Sequence, residues 1–323
     1  NLQTAVAPTS TGVAEVGVET TRTHFALSAG GGELGGAIDA RDNILTGFLD
    51  QIDQWTGGVI NEFNKVYSSG EGLRGYQSVT SEAFVSNTTA ALNAAGLAFT
   101  PRHGSFQLKT VNAATGAVTV SNIAIDLDGL GGIGTDTSLV DLSVAIDALD
   151  NVTASITSDG RLQINAAAGY EVRFGNDTSG ALAALGINTF FTGSSSDDIG
   201  INALVAADQR YFASGRGGGP SDNTNALELA QILDRPVDAL NGVSVDQFYT
   251  NLVGTVAQAG SAEQTLADGS LNFRDALKAQ REQRSGVSID EEAINVMELQ
   301  HNYQAAARII STIDELLNTL LQI

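Results

Sequence analysis

The clearest pattern in the sequence is a repeating row of apolar residues near its C-terminal end. From Leu299 onward, apolar positions recur at alternating spacings of four and three residues, which is the a/d pattern of a coiled coil. The row consists of Leu299, Tyr303, Ala306, Ile310, Ile313, Leu317 and Leu320. Ile309, Leu316 and Ile323 form a second row beside it, which widens the apolar face and predicts contacts with more than one neighbouring helix.

This row lies on one predicted helix over residues 288–323. Ser288, with Glu291 three residues later, forms a capping box at its start, and Ser285-Gly286 is a break typical of a preceding helix end. The helix can pack on other helices of its own chain or on helices of other molecules. Its length of about 50 Å, at ~1.5 Å per residue, and the break before it favour other molecules. We therefore interpret the seven-residue row as an assembly interface.

Two further long helices are predicted at 38–66 and 245–284. Apolar residues from Ile38 follow helical spacing until serines and glycine end the pattern at 68–70. In the second, the stripe runs from Phe248 through Leu252, Val256 and Ala259 to Leu266, interrupted by Glu263. A shorter helix over 226–233 is closed by Pro236.

Between the helices, residues 77–209 are rich in small, polar and β-branched residues, which favours strands. The clearest hairpin pairs 152–156 with 161–164 across Ser158-Asp159-Gly160. A helix is predicted within this region over 138–149. The alternating residues 13–20 near the start also favour a strand.

These elements predict an α+β multidomain fold in which long amphipathic helices form an axial core and carry an inserted β-rich domain. The first residue is not Met, so we expect an upstream part. The predicted parts are a strand-like remnant of an upstream domain (1–30), the first part of the helical core (31–76), the β-rich outer domain (77–210), the second part of the helical core (211–285) and the C-terminal heptad helix (286–323).

Composition and charge narrow the classes of partner. Thirty-seven acidic residues against sixteen basic ones give a net charge of -21, which repels phosphate backbones and anionic lipids, so we expect neither nucleic acid nor membrane as partner. The absence of cysteine excludes disulfides and thiolate chemistry. The sequence contains neither a membrane-spanning apolar run nor a recognisable secretory signal.

The candidate chemical motifs match the known patterns of ligand-binding and metal-binding sites poorly. The run GLGGIG at 129–134 satisfies the dinucleotide-binding pattern, but the acidic residues Asp126, Asp128 and Asp136 around it would repel a pyrophosphate, and a hairpin follows where a parallel strand is needed. Asp126 and Asp128 also suggest calcium, yet the position that requires glutamate is Thr137. His24, His103 and His301 lack the spacing of metal ligands. We predict no catalytic, cofactor-binding or metal-binding residues, and no enzyme.

Four stretches resemble the flagellar hook-associated proteins, which join the hook to the filament. They are SGVSIDEE at 285–292, YQAAARIIST at 303–312, GGELGG at 31–36 leading into Arg41-Asp42, and LGINTFFTG at 185–193. The similarity covers roughly 30–75, 150–208 and 225–323. The N-terminal helix of that family is not found in this sequence.

The resemblance implies a non-enzymatic structural protein outside the cell, exported by the flagellar type III apparatus without a cleavable signal peptide. Its terminal helices would pair in the inner tube of the filament. Implied partners are copies of the chain in a ring or helical layer, hook protein, a neighbouring junction protein, and an export chaperone on the C-terminal helix. The alternative function is a secreted acidic enzyme or carbohydrate-binding module carried by the β-rich insertion.

Overall fold

The computed structural model describes residues 2–8, 14–21, 26–27, 32–130, 136–285 and 289–321. Its contacts divide the chain into two compact units, residues 1–254 and residues 255–323. Long helices and antiparallel sheets occur together, which confirms the predicted α+β class. Among the described helices, none is long and apolar enough to cross a membrane.

The helices account for the longest elements of the chain. They are α1 (Gly32–Asp39), α2 (Thr46–Ser68), α3 (Leu139–Asp147), α4 (Ala181–Leu185), α5 (Ala203–Ala207), α6 (Thr224–Leu229), α7 (Val245–Ser285) and α8 (Ile289–Leu320). A π-helical segment, Ala40–Leu45, joins α1 directly to α2. The helices predicted at 38–66, 138–149 and 245–284 are therefore confirmed, whereas the one at 226–233 ends earlier and is followed by a 3-10 turn at Ile232–Asp234.

The described strands pair only in antiparallel fashion. They are β1 (Leu2–Pro8), β2 (Ala14–Thr20), β3 (Ala26–Leu27), β4 (Ser78–Thr80), β5 (Gly104–Asn112), β6 (Val118–Ile125), β7 (Val152–Ile156), β8 (Leu162–Ala166), β9 (Tyr170–Gly175), β10 (Phe191–Thr192), β11 (Gly200–Ile201), β12 (Pro236–Val237) and β13 (Val243–Ser244). The three-stranded sheets have the orders β1-β2-β3, β4-β8-β7 and β6-β5-β9, and the remaining strands form two short pairs.

The main core lies between the second and third of these sheets and the helices α3 and α4. Strand alternation places Phe106 and Leu108 of β5 on its inner face, where both are fully buried. The predicted hairpin is confirmed, since Ala154 of β7 pairs with Ile164 of β8. A capping box between Ser138 and Asp141 fixes the start of α3, which covers this core.

Helix α2 divides its contacts between two smaller cores. Trp55 and Val59 pack against a cluster around Leu240, and the Trp55 indole donates a hydrogen bond of 3.0 Å to the carbonyl of Val245 at the start of α7. One to three turns later, Phe63 and the fully buried Tyr67 pack in a separate cluster. The side chains predicted to form the apolar face of this helix are thus half-buried from Trp55 to Val66, and the fully buried apolar side chains are the neighbouring Ile60 and Tyr67.

The segment 185–193 fastens the end of α2 to the β-rich part. Asn188 is buried with a left-handed backbone (φ 53°), and its amide donates to the carbonyls of Ser68 (3.2 Å) and Gly70 (2.9 Å). The Ser68 carbonyl belongs to the last turn of α2 and the Gly70 carbonyl lies two residues beyond it, where the helix itself offers no donor. The Tyr76 hydroxyl donates to the Asn188 side-chain oxygen at 2.9 Å, so all three bonds converge on one side chain.

A second amide, one turn earlier in α2, completes this fastening. The Asn64 side-chain oxygen accepts the backbone N–H groups of Phe190 (3.1 Å) and Phe191 (3.0 Å), and its nitrogen donates to the carbonyl of Phe191 at 2.9 Å. Asn64 is only 2% exposed. The two asparagines therefore tie one loop to one helix end through polar groups that water does not reach, which makes each bond costly to lose.

Replacing Asn188 tests this fastening. We expect Asn188→Ala to lower the free energy of unfolding by about 2–4 kcal/mol, because it leaves the buried Ser68 and Gly70 carbonyls and the Tyr76 hydroxyl without partners. Asn151→Ala is the matched control, since Asn151 shares the left-handed backbone (φ 63°) but is exposed, and it should cost only about 1 kcal/mol. Urea unfolding followed by Trp55 fluorescence measures both. Equal losses would contradict the fastening role.

The hairpin turn between β7 and β8 gives a second test. Gly160 has φ 76°, and a Cβ atom there would lie 2.4 Å from the carbonyl oxygen of Val85. We expect Gly160→Ala to destabilise the chain by at least about 2 kcal/mol, through the left-handed backbone and the collision together. Gly116→Ala has a similar φ of 71° with no atom nearby, and should cost about 1 kcal/mol. Unfolding curves in which the two variants coincide would refute the collision.

Candidate assembly interface

In the C-terminal unit, no described residue is buried. Every described residue from 260 to 284 and from 289 to 321 is exposed. A stable soluble helix normally buries an apolar stripe against its own domain. The described residues of α8, and those of α7 from 260 to 284, bury none, so the apolar side chains there face solvent.

Helix α8 carries all seven predicted interface residues on its surface. The exposure of the six large side chains ranges from 50% for Ile313 to 78% for Tyr303, and the small Ala306 is also exposed. Ile309 and Leu316 of the flanking row are 60% and 61% exposed, and Ile323 lies outside the described residues. The structure therefore places the row on one helix and leaves it uncovered. Its use in assembly stays a prediction.

The apolar row extends further towards the start of α8 than the sequence analysis predicted. Val296 and Ile289 continue the seven-residue spacing from Tyr303, and they are 48% and 85% exposed. Glu292 occupies the intervening position of the row. The same heptad spacing runs through the first two turns of α8, but Glu292 interrupts it. The apolar pattern in the sequence therefore did not predict that the row begins there.

The predicted capping pair is described only in part. Ser288 and the residues 286–287 lie outside the described residues, so the capping box remains a prediction. Glu291 lies in the first turn of α8 together with Asp290 and Glu292. Negative charge in this position is favoured by the partial positive charge of the helix N-terminus.

The serine and threonine hydroxyls of α8 are satisfied within the helix. Ser311, Thr312 and Thr319 each donate a hydrogen bond to the carbonyl four residues earlier, over 3.1, 2.9 and 2.8 Å respectively. They therefore do not need polar partners on another molecule. What α8 offers along its row is consequently apolar surface.

Helix α7 carries a second exposed apolar row that the sequence analysis followed only as far as Leu266. Phe273 and Leu277 continue the spacing, and these three side chains are 64%, 66% and 49% exposed. Small residues Gly269 and Ser270 leave a shallow groove beside Leu266 and Phe273. The row resembles the α8 row in spacing but has fewer large side chains.

One cluster in the described residues has the composition of a metal site. Ligand atoms of His103, Asp126 and Asp128 lie within 4.8 Å of one another. The His103 Nδ1 atom is 3.1 Å from a carboxylate oxygen of Asp126 and accepts the N–H of Leu127 at 3.3 Å. The histidine spacing gave no sign of this, because the sheet β5-β6 brings distant positions together. The ligand atoms of these three residues form local hydrogen bonds or face solvent, which is the arrangement of side chains that hold a loop in place.

The glycine-rich motif does not sit in a nucleotide-binding fold. Residues 131–135 lie outside the described residues. The strand before the motif, β6, pairs antiparallel with β5, whereas β7, after α3, belongs to another sheet. The parallel strand-helix-strand crossover that a dinucleotide site requires is therefore not formed by β6, α3 and β7.

A cavity of about 310 Å³ lies beside segment 185–193. Phe84, Phe99 and Phe191 line it, together with Asp198. Burial acts to raise the pKa of Asp198, but hydrogen bonds from the neighbouring serines outweigh it and hold the pKa below its usual value. The carboxylate is therefore ionised at neutral pH and does not serve as a proton donor.

Comparison with known proteins points to the flagellum. Residues 279–323 match the family described as flagellar basal body rod FlgEFG protein C-terminal. The chain is 36% identical over 107 residues, 32% of its length, to flagellar hook-associated protein 1 of Bacillus subtilis (strain 168). It is 24% identical over 160 residues, 46% of its length, to the protein of that name from Escherichia coli (strain K12). The matches span 21% and 29% of those relatives. The resemblance to the flagellar hook-associated proteins is thus confirmed by relatives in two bacteria and by a family match on α8.

Proposed function

We propose that this chain is part of a structural subunit of the bacterial flagellum, similar to the hook-associated junction proteins, that assembles through the apolar row of α8. The observation that carries the proposal is the exposed heptad row from Leu299 to Leu320. Burying one large apolar side chain stabilises a protein by about 1.5–3 kcal/mol, so packing this row on other helices supplies the driving force for assembly.

The proposed partners would bind the same row of α8 at different stages. Copies of the chain and neighbouring axial proteins, including hook protein and a second junction protein, would pack their helices on the row from several sides. Before assembly, an export chaperone would cover the same row and prevent premature association. The widened face, with Ile309 and Leu316 beside the main row, supports packing on more than one helix.

The proposed location follows from the same role. The subunit would be exported to the growing flagellum, outside the cell, without a cleavable signal peptide. Within it, α2, α7 and α8 would belong to the axial core, with residues 77–210 as an outer domain. The relatives suggest a protein that is not an enzyme, and the ionised Asp198 beside the cavity does not act as a proton donor.

Substituting the row tests the proposal. Ile310→Asp and Leu317→Asp should each weaken self-association by about 100-fold, because a carboxylate replaces a side chain whose burial is worth about 1.5–3 kcal/mol. Sedimentation velocity on the chain measures this, and soft-agar motility of cells carrying the substitution in the intact protein measures assembly.

Gln304→Asp provides the control. Residue 304 is exposed on the face of α8 opposite both the main row and the flanking row of Ile309 and Leu316, so the same carboxylate there should leave association and motility close to those of the unsubstituted protein. Normal association and motility of the Ile310→Asp and Leu317→Asp variants would refute the proposal. Equal losses in all three variants would show damage to the helix and would also refute a role for the row.

A further inference from the structure

Strand β6 forms an open edge of its sheet. Among the described strands it has β5 as its only neighbour, and the two pair over the whole length of β6 without a bulge. The Asn112 N–H donates to the carbonyl of Ala117 at 2.8 Å, which makes these two residues a hydrogen-bonded pair. Antiparallel pairs alternate between hydrogen-bonded and non-hydrogen-bonded. The N–H and C=O groups that point away from β5 therefore belong to Val118, Val120, Asn122 and Ala124.

These outward groups have no partner in the described part of the chain. All four residues are exposed, and no described residue forms a hydrogen bond with their outward backbone groups. The opposite edge of the same sheet is covered, because Val172 of β9 exchanges two backbone hydrogen bonds of 2.8 Å with Tyr76. On the edge strand β7 of the neighbouring sheet, Asp147 accepts the N–H of Ala154 at 3.0 Å. The edge of β6 has no such cover among the described residues.

Strand β6 also lacks the features that keep edge strands apart. Natural edge strands carry charged side chains, Pro or bulges, or they are very short. The sequence from 110 to 125 contains neither a charged residue nor Pro, although the whole chain has a net charge of -21. Strand β6 spans eight residues, and its Val118 and Val120 side chains are 54% and 52% exposed. A long, uncharged and partly apolar edge is a template on which another strand can pair.

We propose that β6 pairs antiparallel with β6 of a second copy of the chain. The pairing joins two three-stranded sheets into one sheet of six strands. A two-fold axis at Ser121 places Val120 opposite Asn122 of the second copy and Val118 opposite Ala124. In this register the outward groups of all four residues form hydrogen bonds across the axis.

The charge pattern favours a second copy as the occupant of this edge. Copies that each carry a charge of -21 repel one another at long range, and the repulsion is reduced where the surface carries no charge. A charged partner strand would find no opposite charge on β6 to bind. In the proposed pair, Ser121 faces Ser121 and Thr119 faces Ile123, so no charged side chains are brought together.

This contact is separate from the interface proposed on α8. A two-fold contact closes on itself after two copies, so it cannot link successive subunits along one polar axis. The inference therefore goes beyond the proposed function and does not depend on it. Pairing through β6 should persist when the apolar row of α8 is disrupted.

Engineered cysteines test the pairing, since the chain has no cysteine of its own. Residues opposite each other in a non-hydrogen-bonded pair have Cα atoms about 4.5 Å apart, within the range for a disulfide. Ser121→Cys faces its own copy in such a pair and should form disulfide-linked dimers with oxidised glutathione as the oxidant. Thr119→Cys is the control, because its copy lies roughly 14 Å away along the strand. It should cross-link at least about tenfold more slowly, although residue 119 is the more exposed of the two. Non-reducing electrophoresis measures both rates.

Substitutions at Val120 in the Ser121→Cys chain separate edge pairing from chance collision. Val120→Pro removes an N–H that points away from β5, and Val120→Lys places a charge on the edge, so each should slow cross-linking at least about tenfold. Val144→Lys makes the same change at a valine of α3 that is 64% exposed, and it should leave the rate unchanged. Urea unfolding verifies that each variant is folded.

The outcomes distinguish this contact from the proposed function. Equal cross-linking of the Ser121→Cys and Thr119→Cys chains, or an unchanged rate in both Val120 variants, would overturn the inference. Loss of the Ser121→Cys cross-link on adding Leu317→Asp would also overturn it, because the contact would then depend on α8. An intact cross-link together with normal association of the Leu317→Asp chain would support this contact and remove only the role of the α8 row.

Discussion

An apolar face on a long helix must be covered, because a row of large side chains in water offers the helix no stabilisation from burial. In this chain the requirement falls on α8, whose row from Leu299 to Leu320 is at least half exposed apart from the small Ala306. The described residues supply no cover. Two further features of the C-terminal unit accompany this exposed row: serine and threonine hydroxyls that bond within the helix, and a preceding helix with an exposed apolar row of its own.

The first 254 residues, in contrast, bury apolar side chains within the chain itself. Their described strands and helices bury one main core and two smaller ones, and the end of α2 is fixed to segment 185–193 by the buried amides of Asn64 and Asn188. The neighbouring Tyr67 hydroxyl donates to the Tyr211 carbonyl at 3.2 Å, and burial raises the pKa of Tyr67 to about 12.

Local patterns in the sequence predicted the elements whose determinants are local. Heptad spacing located α8, helical spacing located α2 and α7, and Asp159-Gly160 located the hairpin. The fastening by Asn188 could not be predicted, because its partners at Ser68 and Gly70 are more than a hundred positions away. The same limit applies to His103, which β-sheet pairing brings to Asp126. The interface on α8 was predicted as a pattern, but a single sequence does not identify the molecule that covers it.

Hydrogen–deuterium exchange along α8 tests the central claim most directly. The claim is that the row on α8 is covered by other molecules and not by its own chain. In dilute solution, amides of residues 299–320 should exchange close to the rate of a fraying helix, and at concentrations where the chain associates they should become protected by about 100-fold or more, while amides of the main core stay protected throughout. Strong protection of 299–320 at the lowest concentration, unchanged on association, would show that the chain covers its own row and would contradict the account.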